Sequence, residues 1–250
     1  MSRVSWAGPL RAAVAAEVAK LCSLPAAIVC AAASLLVGTA IAGALAWGGS
    51  GQSVTPIGAV TAAVPLAQVC VIALGVLPMA HESDGSQLRT SLTAVPGRAR
   101  FVAAKSVAAL LATSVVGVLT VAASFAASLA GWAFGGHVGA PPHQDPDPVV
   151  MPLAGAAIYL ALIGLFAHTI SLLWARLAPA LGVSLGLVLL APPLLGASEH
   201  ARWLPSRAGE LLYTGATDHV LTAGTGAAVL AAWAVAVAAT GLCVLRRRDI

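Results

Sequence analysis

The residue types that do acid–base or metal chemistry gather in two polar stretches of this chain. "HQDPDP" holds His143, Asp145 and Asp147, and "ASEHARWLPSRAGELLYTGATDHV" adds Glu199, His200, Glu210, Asp218 and His219. A zinc enzyme needs imidazoles and carboxylates preorganised at fixed spacing, as in H-E-x-x-H on one helix face. Neither stretch has that spacing. The prolines instead make 141–148 a stiff extended loop with solvated acids. A GxSG motif for an intramembrane serine nucleophile is missing, and so is the GxxxxGK[ST] phosphate loop. Cys22, Cys30, Cys70 and Cys243 lack zinc-site spacing and read as small packing residues.

Two further polar side chains, Gln68 and His168, interrupt long apolar runs. An ionisable group in hydrocarbon is by default a functional candidate. For His168 the sharper reading is substrate or proton handling, and the plainer one is packing or an interfacial position. Gln68 is expected to join an interhelical hydrogen bond, with pore lining as the alternative. Ser106, Thr113, Ser114, Thr120, Ser124 and Ser128 recur among alanines, as close helix packing requires; a small-residue face along a substrate path is the alternative.

The elements that carry these residues follow from composition. Hydrophobic residues make up 59% of the 250 positions and charged residues 9%, and the mean hydropathy is +0.93, far from a soluble domain of this length. A bilayer core of about 30 Å needs roughly 20 apolar residues per helix. The charge-free runs predict an all-α polytopic membrane protein with six transmembrane helices, at about 24–47, 57–80, 106–131, 150–174, 178–197 and 222–245. The first apolar run is longer than the core of a signal peptide and follows a charged lead, which favours a retained helix. Barrel strands, alternating over about ten residues, are excluded by the unbroken runs.

Basic residues collect on the cytoplasmic side of short loops. With both ends inside, Arg3, Arg11, Lys20, Arg89, Arg98, Arg100, Lys105, Arg176, Arg246, Arg247 and Arg248 are all cytoplasmic, leaving only Arg202 and Arg207 outside with five of the nine acids. The expected topology is therefore N-in, C-in. The net charge of +4 reads as a topology signal, and the lack of a basic patch with interleaved aromatics argues against a nucleic-acid partner.

Before the first span, Trp6, Leu10, Val14, Val18 and Leu21 form a stripe, so 1–23 is expected to be an amphipathic interfacial helix. Glu17 lies on that stripe, where a basic group such as Arg100, a partner protein or headgroup water would satisfy it. Segment 198–221 alternates apolar and charged residues, as a hairpin dipping into the outer interface would, with Trp203 and Tyr213 as anchors. The longest inner loop, 82–105, contains "SDGSQLRTSLTAVPG": Ser83 or Asp84 as N-cap, Leu88 and Leu92 one turn apart, and Pro96-Gly97 as terminator. A short helix across the inner surface fits it, as does a loop that only sets topology.

Glu82, Gly85, Leu92, Pro96, Arg98, Arg100 and Lys105 together spell E-x2-G-x6-L-x3-P-x-R-x-R-x4-K. This resembles the cytoplasmic loop of permease subunits in the type-2 ABC exporter family. "LRAAVAAEVAKLCSLP" is similar to the family's connecting helix, "ARWLPSRAGELLYTG" to its re-entrant hairpin between the last two spans, and "LRRRDI" to its basic ending. The likeness covers nearly the whole chain through loose motifs.

The resemblance implies a transport subunit in the bacterial cytoplasmic membrane with no ATPase site and no cofactor of its own. Mg-ATP would be held by a separate ABC ATP-binding subunit docked on a coupling helix at 84–96. Glu82, Gly85, Leu88, Arg89, Leu92, Val95 and Pro96 would make that contact. Trp203, Leu204, Pro205 and Tyr213 would form an outer gate. A second permease, identical or homologous, would complete the path for an amphipathic or lipophilic substrate: a drug, an antimicrobial peptide or a lipid. A non-transporting scaffold and an autonomous intramembrane enzyme are the alternatives from other classes. The alanine-rich composition points to a high-GC bacterium.

Overall fold

The computed structural model describes residues 7–48, 54–83, 98–135, 146–174, 176–196, 198–215 and 220–247. Helices and turns account for the described residues, with no strand among them. α1 spans Ala7–Ser23, α2 Pro25–Trp47, α3 Pro56–Ser83, α4 Arg98–Phe134 and α5 Pro146–Trp174. α6 (Leu177–Leu185) runs through a π-helical turn, Gly186–Leu190, into α7 (Ala191–Leu195); a 3-10 turn, Glu199–Trp203, leads to α8 (Pro205–Thr214), and α9 is Ala223–Arg247. Six segments are long and apolar enough to cross a membrane: α2, α3, α4, α5, the α6–α7 unit and α9. The chain is thus a multi-pass, all-helical membrane protein.

Local chemistry accounts for several ends. Proline opens α2, α3, α5 and α8, where its missing N–H would have no intrahelical partner. The Thr55 hydroxyl accepts the Gly58 N–H at 3.0 Å and caps α3. Thr222 and Thr225 cap α9 reciprocally: the Thr225 hydroxyl accepts the Thr222 N–H at 2.7 Å, and the Thr222 hydroxyl accepts the Thr225 N–H at 3.4 Å. The π turn has an equally local cause. Pro192 and Pro193 cannot donate to carbonyls four residues back, and just before them the Ala191 N–H bonds the Gly186 carbonyl, five residues back.

The span boundaries agree with the sequence expectation to within a few residues except at α4, which begins at Arg98 rather than near 106. Arginine and lysine are good helix formers, so their charge ends the apolar run without ending the helix. At about 1.5 Å per residue its 37 residues extend roughly 55 Å, more than the hydrocarbon thickness. The expected loop 82–105 is correspondingly shorter, since α3 runs to Ser83 and 98–105 are helical.

α3 is the hub, with 61% of its apolar window buried against 17% for α2 and α9. It packs on α2, α4, α5 and α6. Without a hydrophobic force between helices in lipid, close approach and hydrogen bonds hold such a bundle. A Cβ on Gly75 of α3 would run into the Gly164 carbonyl of α5, and one on Gly38 of α2 would lie 2.6 Å from the Ser124 hydroxyl of α4. The Ser34 and Thr120 hydroxyls bond across α2 and α4 at 3.0 Å, and Thr113 donates to the Ala161 carbonyl of α5 at 3.2 Å. Thr113, Thr120, Ser124 and Ser128 are all buried, so these four serve packing between helices, while Ser106 and Ser114 are half-buried.

Gly75→Ala is expected to cost about 1–3 kcal/mol through forced separation of α3 and α5. Gly182→Ala, where a Cβ meets nothing within 4 Å, is the control. Unfolding by sodium dodecyl sulfate in mixed micelles, followed by circular dichroism, compares them.

Candidate functional site

The polar groups that matter lie at two levels of the bundle. At the first, α1 crosses α4, burying Leu21 of its stripe and packing Val18 against the core. Glu17, on that stripe, is 12% exposed and accepts a hydrogen bond from Lys105 Nζ of α4 at 2.7 Å. Lys105 is 1% exposed. Its ammonium also donates to the Pro78 carbonyl of α3 at 3.0 Å and stands 5.0 Å over the Phe101 ring one turn earlier. Lys20 adds a bond to the other Glu17 oxygen at 3.0 Å. Burial pushes the Glu17 carboxyl up, but the Lys105 bond and charge, joined by those of Lys20, outweigh it and leave the group below its ordinary value.

This pair corrects one sequence expectation and shows a missed residue. Glu17 meets Lys105, seven residues into α4, rather than Arg100. The signal was present: Lys105 lies among Phe101, Val102, Ala104, Ala108 and Ala109, all buried, so periodicity already placed it on the core face of a longer helix.

The second level links mid-membrane to the hairpin before α9. Gln68 of α3 is buried and accepts the Tyr159 hydroxyl of α5 at 2.5 Å, the interhelical bond expected of it. Tyr159 stacks on Tyr213 of α8, with ring centroids 5.2 Å apart and planes tilted by 48°. Gly209 of α8 lies flat on Tyr159, where a Cβ would come within 2.5 Å of the ring. Gly155 of α5 and Gly226 of α9 admit the α8 backbone at Leu212 and Ala208.

The Trp233 indole donates to the Trp203 carbonyl at 2.9 Å. Of the residues expected at an outer gate, Leu204, Pro205 and Tyr213 are buried and Trp203 is half-exposed. Tyr213 is therefore a packing residue wedged between helices, not an interfacial anchor. The glycine contacts that make room for α8 join residues distant in sequence, which is why periodicity did not show them. On the open side of α8, burial raises the Glu210 carboxyl above its ordinary value although Arg207 stands 3.4 Å away. Burial and Glu210 also push the Tyr213 hydroxyl up.

His168 is fully buried on α5, and neither ring nitrogen has a hydrogen-bond partner. It lies one turn beyond Gly164, the residue that Gly75 of α3 approaches. The structure does not bring Gln68 and His168 together. All four cysteines are free thiols. No group of three or more metal-ligating side chains occurs among the described residues.

Of the expected coupling residues, Gly85, Leu88, Arg89, Leu92, Val95 and Pro96 lie outside the described residues. Glu82 falls in the last turn of α3. No known family profile matches the chain, and no curated protein matches it either.

Removing one partner of a buried ion pair strands the other, at a typical cost of 3–5 kcal/mol. Lys105→Met should destabilise the protein by about that much, and Glu17→Gln/Lys105→Met by less than the two single changes together. Denaturation in mixed micelles measures all three variants.

The sign of the pH dependence follows from the same pair. A carboxyl lower in the folded state contributes stability that is full above its ordinary value near 4.5 and lost as pH falls through the depressed value. Thermal unfolding should therefore show no Glu17 contribution to slope from pH 8 to 5 and an acid decline that Glu17→Gln abolishes.

Tyr159→Phe leaves Gln68 short of a partner and should cost about 1 kcal/mol, read by the same denaturation.

Proposed function

We propose that this chain is the transmembrane permease subunit of a type-2 ABC exporter in a bacterial cytoplasmic membrane, with both termini cytoplasmic. Two permeases, identical or homologous, pair with two ATP-binding subunits that hold Mg-ATP, and the chain itself performs no hydrolysis. The cargo is amphipathic or lipophilic: a drug, an antimicrobial peptide or a lipid. The resemblance of 82–105, of the N-terminal helix and of the 198–221 hairpin to that family motivates the reading.

The observation that carries it is the Glu17–Lys105 pair, 2.7 Å between a buried ammonium and a mostly buried carboxylate. It ties α1 to α4 a few residues after the segment on which an ATP-binding subunit would dock, and Lys105 is bonded in turn to α3, which leads into that segment. A push on 84–96 would reach three helices through one buried junction. Leu88, Leu92, Val95 and Pro96 would seat in the partner, with Glu82 and Arg89 at the rim and Gly85 allowing close approach. At the other level, α8 is packed between α5 and α9 and linked through Tyr213 and Tyr159 to Gln68. Movement of α3 against α5 therefore has a route to Trp203, Leu204 and Pro205.

Affinity purification of the tagged protein from its native membranes, with mass spectrometry of stoichiometric partners and an ATPase assay on the eluate, tests this reading. An ATP-binding protein is expected to copurify, and Leu92→Asp is expected to abolish both association and transport while ATP binding by the isolated partner persists. A folded, ATPase-free protein, or transport retained by Leu92→Asp, would overturn it.

A further inference from the structure

α1 and α4 flank an open groove of about 600 Å³ lined by Leu10, Arg11, Val14, Val18, Val107 and Leu111 with two alanines. It is an apolar trough with a single charged group. The trough is not a by-product of loose packing, because the Glu17–Lys105 bond at 2.7 Å holds its two walls together from behind. Val107 and Leu111 are 40% and 48% exposed, so the trough is open to the acyl region of the bilayer.

Charge decides what covers it. The only acid of α1, Glu17, turns inward to Lys105 and Lys20, and the one charged side chain that lines the groove is the exposed Arg11. A basic group in a pocket beside a spanning helix takes an anionic lipid headgroup. A second copy joined through the same trough by a two-fold axis would bring two Arg11 cations into one groove. We propose that this groove binds one anionic phospholipid, with an acyl chain along Val14, Val18, Val107 and Leu111 and its phosphate on the Arg11 guanidinium. The lipid is a resident ligand that braces α1 on α4, distinct from any cargo, and its binding requires no ATP-binding subunit.

Native mass spectrometry of the full chain released from detergent micelles, titrated in parallel with dioleoylphosphatidylglycerol and dioleoylphosphatidylcholine, tests the assignment. The unmodified protein should retain one phosphatidylglycerol in preference to phosphatidylcholine. Arg11→Gln, an exposed change that leaves the fold alone, should cut that preference about fivefold, the effect of one basic group at a membrane surface. Val107→Trp should reduce retention of both lipids by filling the trough, and Arg202→Gln, in the 3-10 turn before α8, should alter neither. Equal retention of the two lipids by the unmodified protein, or an unchanged preference in Arg11→Gln, would overturn the proposal. So would a dimer that dissociates on Val107→Trp, which would give the groove to a second copy.

Discussion

An ammonium taken out of water needs an anion and further acceptors within hydrogen-bond reach, or the cost of desolvation prevails. Lys105 has Glu17 at 2.7 Å, the Pro78 carbonyl at 3.0 Å and the Phe101 ring at 5.0 Å. Those partners come from α1, α3 and α4, so the position of one cation determines how three helices meet. The pair explains why a charge sits on the apolar stripe of α1, and why α4 stays helical and buried through a stretch whose charge density reads as loop. The uncharged surface elsewhere is left to Ser, Thr and Gly contacts. A buried pair is weak evidence for net stability; its consequence here is geometric, since it fixes where α1 meets α4.

The hub helix α3 joins this junction to the other level of the bundle. Gly75 brings it against Gly164 of α5, and Gln68 binds Tyr159 on the same pair of helices. α5 then carries Tyr159 to Tyr213 and accepts α8 at Gly155. A chain of contacts thus runs from Glu17 to the hairpin, through an ion pair, backbone approaches, a hydrogen bond and one ring contact. Such contacts are what a two-state element requires if it is to pass motion between distant segments. His168, fully buried one turn beyond Gly164, lies along this path.

Burial along the spans is uneven in a way that matters for assembly. α2, α6 with α7, and α9 have one fifth or less of their windows covered, or close to it, whereas α3 is enclosed on most sides. The outer helices present Ile28, Val29, Leu36, Leu190, Leu194 and Val235 outward, residues as compatible with acyl chains as with a second subunit. The bilayer supplies the apolar environment that makes this inside-out economy stable, because lipid tails do not penalise exposed leucine.

The six spans, their lengths and the all-helical class were legible in the sequence because both report a one-dimensional requirement: enough consecutive apolar residues to cross about 30 Å with every backbone group paired within its own helix. The inward stripe of α1 and the need of Gln68 for an interhelical partner were legible for the same reason, being properties of one segment. What tertiary structure alone decided is which segments meet. Glu17 against Lys105 and Gln68 against Tyr159 are pairings across 88 and 91 positions, and α8 is lodged between α5 and α9 by glycines that lie outside its own segment. No local period encodes them, since in lipid the partner of a helix is chosen by small-residue contacts and hydrogen bonds whose geometry exists only once the helices are side by side.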